Sequence, residues 1–421
     1  MKFKPYPSYK DSGIEWLGEV PKGWDIKKLK YLAKIKNGQD QKQVLIEEGG
    51  FPVYGSGGEF GRACQYLYSQ KSVLLGRKGT IDKPLFIQEP FWTVDTMYYT
   101  KIFSAVFPKF FFYQCLTIEF NYYQFGSTVP SMTQESLHNN YFSVPNFQDQ
   151  ATIADFLDRE TLRIDGLVEE KNHFIELLKE KRLALISHVV TKGLDPTVKM
   201  KDSGVDWLGE MPEHWVVQPI KYVIDKIESG TSVNASAESA KDNEIGVLKT
   251  SCVYSGQFNP FENKAVVEQE IDRVSCPLKI GMLIVSRMNT PDLVGAAGLV
   301  TSAPTNLYLP DRLWQISFLN ANSTYVYYWT QSTMYRAFIK SVCSGTSSSM
   351  QNLSQDQFKS FIFPSPENEE QTKIANFLDN QTTKIDALIT ETQQSIALLK
   401  EHRIALISEA VTGKIDVREV A

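Results

Sequence analysis

Lys10 to Trp24 reads KDSGIEWLGEVPKGW, and Lys201 to Trp215 reads KDSGVDWLGEMPEHW, so Asp11, Trp16, Pro21 and Trp24 recur as Asp202, Trp207, Pro212 and Trp215 at a constant offset of 191. A second repeat lies downstream of each copy. QATIADFLDRETLRIDGLVEEKNHFIELLKEKRLALISHVVTKG, from Gln150 to Gly193, matches QTKIANFLDNQTTKIDALITETQQSIALLKEHRIALISEAVTGK, from Gln371 to Lys414, at an offset of 221. Self-similarity over so long a period is a statement about architecture before any local pattern is considered. The two offsets differ by 30, so the segment between motif and second repeat is 30 residues longer in the second half.

The longer repeat alternates steps of three and four between apolar residues and contains no proline, which predicts an amphipathic helix of about 40 residues, roughly 60 Å at 1.5 Å per residue. Matching stripe positions are Ile153, Leu157, Ile164, Leu167, Leu178 and Leu185 in the first copy and Ile374, Leu378, Ile385, Leu388, Leu399 and Leu406 in the second. Gly193 and Gly413 supply the stop. A core helix of one domain would have no reason to be twinned, whereas two matching stripes can bury against each other in an antiparallel, coiled-coil-like spacer.

Between the repeats lie two unlike segments, about 23–149 and 214–367, rich in aromatic and β-branched residues with short alternating runs such as SVLLG, FWTVDTMYYT and GMLIVSRM. Each predicts a mixed α/β domain built mainly on strands. The chain therefore divides into a first domain with its motif over 1–149, a helix over 150–193, a second domain with its motif over 194–367, and a helix over 368–421.

The 421 residues carry 44 Lys and Arg against 49 Asp and Glu, a net charge of −5, with 42% hydrophobic residues. That composition excludes disorder, and no run approaches the roughly 20 apolar residues of a membrane span. With no secretory leader pattern at the start, a cytoplasmic protein without membrane attachment is expected. Five cysteines at wide spacings, without a CxxC pair, read as free and mostly buried thiols. The overall balance gives no support to nucleic-acid binding, so that case is local. Lys22 to Gln148 holds 14 Lys and Arg against 10 Asp and Glu, and the second domain has no comparable excess.

Leu75 to Thr80, LGRKGT, sets Arg77 and Lys78 between two glycines just after a strand-like run. VSRMNT repeats this in part, with Arg287 and Asn289 after GMLIV. A basic turn seen alone is usually a solvated loop, but its recurrence after equivalent strands favours contact with phosphates or base edges, with Thr80 beside it. GSTVPSM, with Ser127, and GTSSSMQ, with Thr346 and Ser348, form a second pair of hydroxyl-rich loops. Gly55 to Gly61, GSGGEFG, fits no nucleotide-binding loop and reads as a turn bringing Ser56 beside Tyr54. No histidine stands in a metal-ligand spacing, no GxSxG elbow is present, and the nearest approach to an adenine-methyltransferase motif is the single-proline Asn259-Pro260-Phe261. Catalytic residues and metal ligands are therefore not expected in this chain.

The duplicated KDSG[IV][ED]WLGE[VM]P motif with the IA[DN]FLD and [IL]LKE[KH]R[IL]ALIS helices resembles the specificity subunit of type I restriction and modification systems, over essentially the whole chain. YGSGG, LGRKGT and WTVDTMYY are similar to segments of that family. The resemblance implies two target-recognition domains, each reading one half of an interrupted, asymmetric site on double-stranded DNA, about 34 Å or one turn apart. It also implies two copies of a modification (methyltransferase) subunit carrying S-adenosylmethionine, and restriction subunits using ATP and magnesium, with none of these cofactors held by this chain. The competing reading is a non-catalytic scaffold whose globular domains bind protein or glycan, which the acidic net charge favours. A stand-alone nuclease or methyltransferase lacks its motifs.

Overall fold

The computed structural model describes residues 3–120, 131–347 and 350–418. The chain forms two compact units, Met1–Asn172 with Gln393–Ala421, and His173–Thr392. The long helices are Phe147–Lys192 and Asn368–Thr412, so both unit boundaries fall inside helices and each unit contains a stretch of both. No helix among the described residues is long and apolar enough to cross a membrane.

In the first unit the short motif folds as a hairpin, Tyr9–Asp11 against Glu19–Pro21 in the register Tyr9↔Pro21 and Asp11↔Glu19. Its turn is specified chemically. The Asp11 carboxylate accepts from the Gly13 amide at 2.9 Å, and Gly13 and Gly18 take φ of 70° and 60°, which only glycine adopts at little cost. The second unit builds the same hairpin from Met200–Asp202 and Glu210–Pro212, with Asp202 capping Gly204 at 3.0 Å.

Each hairpin receives the end of one long helix. Gly413, at φ 73°, sits where a Cβ would meet Pro21 Cδ at 2.4 Å and Trp24 at 3.2 Å, and Lys414 donates to the carbonyls of Leu17 and Glu19. In the second unit Gly193, at φ 76°, sits against Trp215 and Pro212, and Lys192 donates to the Glu210 carbonyl. Helix stop and hairpin motif are thus two halves of one contact, which is why they are duplicated together.

The helix stripe is buried largely on the globular domains. In the first unit Ile153, Leu157 and Ile164 join Leu406, Ile407 and Val411 of the other helix around Tyr6, Trp24, Phe110 and Tyr113. In the second, Ile186, Val189 and Val190 join Ile374 and Leu378 around Trp215, Tyr325 and Phe363. Tyr113 donates to Asp158 at 2.6 Å and Tyr328 to Asp379 at 2.6 Å, and burial with the adjacent carboxylate pushes both phenols well above their ordinary range. Arg403 chelates Asp165 in the first unit (2.8 and 3.0 Å) and Arg182 chelates Asp386 in the second (3.0 and 3.4 Å). With Asp149 reaching Arg418, and Gly193 lying beside Glu370, the helices run antiparallel within each unit. Leu178 and Ile385 are also buried, Leu167, Leu185 and Leu399 are half-buried, and Leu388 is 44% exposed.

Despite unlike sequences, the two domains share a sheet. Ala33–Asn37, Met97–Ile102, Ser72–Gly76 and Leu85–Ile87 form an antiparallel sheet in that spatial order, and Ile224–Ser229, Leu313–Phe318, Leu283–Ser286 and Ala297–Leu299 repeat it. The central strands Ser72–Gly76 and Leu283–Ser286 are fully buried, with apolar runs over 73–75 and 283–285 and a buried serine in each. In each domain a parallel pair, Phe51–Gly55 with Trp92–Thr93 and Gly246–Leu248 with Leu307–Tyr308, belongs to a smaller second sheet. The thiols are free: Cys115 and Cys252 are buried, Cys276 and Cys343 half-buried, and Cys64 exposed.

Candidate nucleic-acid interface

Arg77 follows the buried strand Ser72–Gly76 and opens the connection to Leu85–Ile87. A Cβ on Gly76 would lie 2.5 Å from Ile81 Cα and 2.7 Å from the Thr80 carbonyl, so only glycine lets the chain close back here. The Arg77 amide donates to the Thr96 carbonyl at 2.9 Å, its Nη1 donates to the Asp95 carbonyl at 3.2 Å, and its carbonyl accepts from the Met132 amide at 3.0 Å. Lys78 bridges Ser131 along the backbone. The basic loop is therefore stitched to Ser131 and Met132, the end of the GSTVPSM run.

Arg287 is held in the same way. Its amide donates to the Arg312 carbonyl at 3.0 Å, its Nε donates to the Asp311 carbonyl at 2.8 Å, and its carbonyl accepts from the Leu353 amide at 2.8 Å. Met288–Asn289 then pairs with Met350–Asn352, which pairs with Ser344–Ser347. In both units the arginine loop and the hydroxyl-rich segment thus meet edge to edge.

Most of the sequence candidates of the first domain gather at this place. Gly79, at φ 84°, lies against Ser56, with Oγ 3.0 Å from its Cβ position, so the Gly55–Gly58 turn abuts the basic loop. Tyr54, half-buried, stands at the end of that hairpin with its ring 6.3 Å from Phe91, and burial raises its phenol above the usual range. Thr80 is half-buried and Lys78 exposed. In the second domain Arg287 is half-buried, whereas Asn289 is only 8% exposed. Its amide donates to Tyr254 Oη at 2.7 Å and Ser286 Oγ at 3.3 Å, and its carbonyl accepts from the Thr290 amide, so the side chain holds the loop from within. Thr346 is described only through its strand, and Ser127 and Ser348 lie outside the described residues.

Three positions escaped the sequence. Asp95 and Asp311 contribute carbonyl oxygens to the arginines, a role no side chain betrays. Arg312 lies in LPDRLW, and its counterpart in TVDTMYY is Thr96, so comparing the two halves hides it. No group of three or more His, Cys, Asp or Glu able to hold a metal occurs among the described residues.

A family model for the type I restriction modification DNA specificity domain matches residues 21–177 and 212–398. The specificity subunit of the type I restriction enzyme EcoEI from Escherichia coli is 21% identical over 230 residues, covering 54% of this chain but only 38% of that protein. The MjaVIII specificity subunit from Methanocaldococcus jannaschii is 20% identical over 420 residues, 95% of each chain. Among solved structures, the HsdS subunit from Thermoanaerobacter tengcongensis aligns with a TM-score of 0.53 at 15% identity, covering 96% of this chain and 100% of that one. A chain from work on complex assembly and conformational transition of the type I R-M system aligns at 0.69 and 12% identity, covering 93% and 98%. At such identities these two likenesses speak to the fold, which they share, while the twofold match of the family model extends over both domains and their helices. The chain belongs to the type I restriction–modification DNA specificity family.

Proposed function

We propose that each domain reads one half of an interrupted, asymmetric site on double-stranded DNA, using the loops around Arg77 and Arg287, and that the two long helices set the interval between the halves. The single observation that carries this reading is the arginine tether built twice on one backbone plan. A guanidinium held by a backbone carbonyl is restricted in its angle, and bidentate pairing with guanine O6 and N7 requires a guanidinium presented at a set angle. Replacing Arg77 or Arg287 by Ala is expected to relax the choice of base at one position of one half-site, at about 1 to 3 kcal/mol, leaving the other half unchanged. Mapping modified adenines and their contexts in the host genome, before and after each substitution, tests this. A map with unaltered contexts in both variants would remove these arginines from the reading.

The partners in this reading are two copies of a modification (methyltransferase) subunit, and restriction subunits, which bring S-adenosylmethionine, ATP and magnesium, while this chain is non-catalytic. The complex would work in the cytoplasm, where the chromosome lies. Twofold occupancy is supported by apolar residues exposed in pairs 221 positions apart, Leu177 with Leu398 (47% and 64%) and Leu183 with Ile404 (41% and 68%). One partner surface can therefore dock twice. Leu398→Asp and Leu177→Asp are each expected to remove one partner copy, read as the mass of the purified complex. A scaffold binding protein or glycan has only the acidic net charge in its favour, and membership of the specificity family sets it aside.

A further inference from the structure

The two arginine loops differ in where their second cation stands. Strand pairing aligns Gly76 with Met97 and Ser286 with Leu313, so Arg77 lies opposite Thr96 and Arg287 opposite Arg312. The next residue along the loop is Lys78 in the first domain and Met288 in the second. At each of these two loops, then, the loop arginine is tethered to a carbonyl and one further cation lies beside it. That cation is on the loop in the first domain and at the start of the facing strand in the second.

Lys78 and Arg312 are both exposed, and neither side chain forms a hydrogen bond or ion pair among the described residues. Tethered and untethered cations suit different tasks. Reading a base edge demands a fixed fork, since a wrong angle loses the bidentate pair, whereas a phosphate presents acceptors in many directions and tolerates a mobile point charge. We infer that Lys78 and Arg312 are the phosphate anchors of their respective domains, and that transfer of the anchor from loop to facing strand makes each domain seat its DNA differently while the tethered arginine keeps its place. This assignment rests on the DNA-reading function proposed above.

The test uses the full-length chain in the complex it forms in its host, with a library of bipartite duplexes and binding measured from 50 to 200 mM salt. Arg312→Ala is expected to weaken binding several-fold on all sequences alike, to lower the slope of log affinity against log salt by about 1, and to leave the preferred sequence intact. Arg312→Lys is expected to restore both, because a point charge suffices. Lys78→Ala should repeat the pattern. Unchanged affinity and slope in Arg312→Ala would overturn the assignment, as would relaxed choice at one base position, which would make Arg312 a base reader. If the unaltered complex prefers no bipartite sequence, the DNA-reading function itself fails. If it does prefer one while Arg312→Ala behaves like wild type, only the anchor fails.

Discussion

At the level of single residues, the glycines that end the long helices differ in how tightly the hairpins enclose them, and Gly413 has less room than Gly193. Gly413 combines φ 73° with a Cβ position 2.4 Å from Pro21 Cδ, a ring atom that cannot swing aside, whereas Gly13 has φ 70° and open space around it. Gly13→Ala therefore carries only the cost of left-handed backbone, about 1 to 2 kcal/mol, while Gly413→Ala adds an overpacking cost of about 1 to 3 kcal/mol. Denaturant unfolding of the two variants is expected to rank them in that order, and equal losses would show that the hairpin can shift to admit a methyl group. The thiols offer a second check. Burial pushes the Cys252 thiol up to about 12 and that of Cys276 up to about 11, and Cys115 is held well above the ordinary range by complete burial, while Cys64 is exposed. Since the thiolate is the nucleophile, brief alkylation of the folded protein at pH 8 should label Cys64 first and spare Cys115 and Cys252, as read by peptide mass mapping.

At the level of elements, the long helices were legible because 3.6-residue periodicity, a glycine stop and duplication all act locally along the chain. What periodicity could not tell was what covers each stripe. An apolar helix face looks the same whether it meets another helix or the aromatic wall around Tyr113 or Tyr325, and here it meets both. Leu388 fits the stripe and yet remains exposed, because a repeat in sequence does not oblige both copies to have equal neighbours. The two interhelix ion pairs illustrate this inequality. Arg182 and Asp386 are more enclosed (21% and 35% side-chain exposure) than Arg403 and Asp165 (31% and 55%), and Gln257 also donates to Asp386 at 3.2 Å. Double-mutant cycles to Ala should give a coupling above about 1 kcal/mol for Arg182 with Asp386, and about 0.2 to 1 kcal/mol for Arg403 with Asp165, as for exposed pairs. The reverse ranking would mean that desolvation cancels the gain in the more enclosed pair.

At the level of the whole chain, each recognition domain is inserted through a pair of adjoining strands. Asp25–Lys28 pairs with Tyr141–Val144, and Val216–Pro219 pairs with Ile362–Ser365, so entry and exit lie side by side and a domain can be exchanged without moving the framework that carries it. That pairing spans more than a hundred residues of unlike sequence, which is why the shared topology of the two domains was invisible in the sequence while their common frame was plain. Hydrogen-bonded register depends on backbone, and the arginine side chains likewise end on backbone carbonyls, those of Asp95 and Asp311. A chain in which residues 216–365 replace residues 25–144 keeps both hairpins, both helix stops and both interhelix ion pairs. Its two domains are then identical, so both readers select the same half-site. The expected target is the half-site of the natural second domain occurring twice, separated by the natural interval, because the helices are untouched. Methylation mapping in a host carrying this chain gives the answer directly. A target whose halves still differ would mean that sequence choice resides in the helices or hairpins, and like halves at a changed interval would mean that the domains, and not the helices, set the spacing.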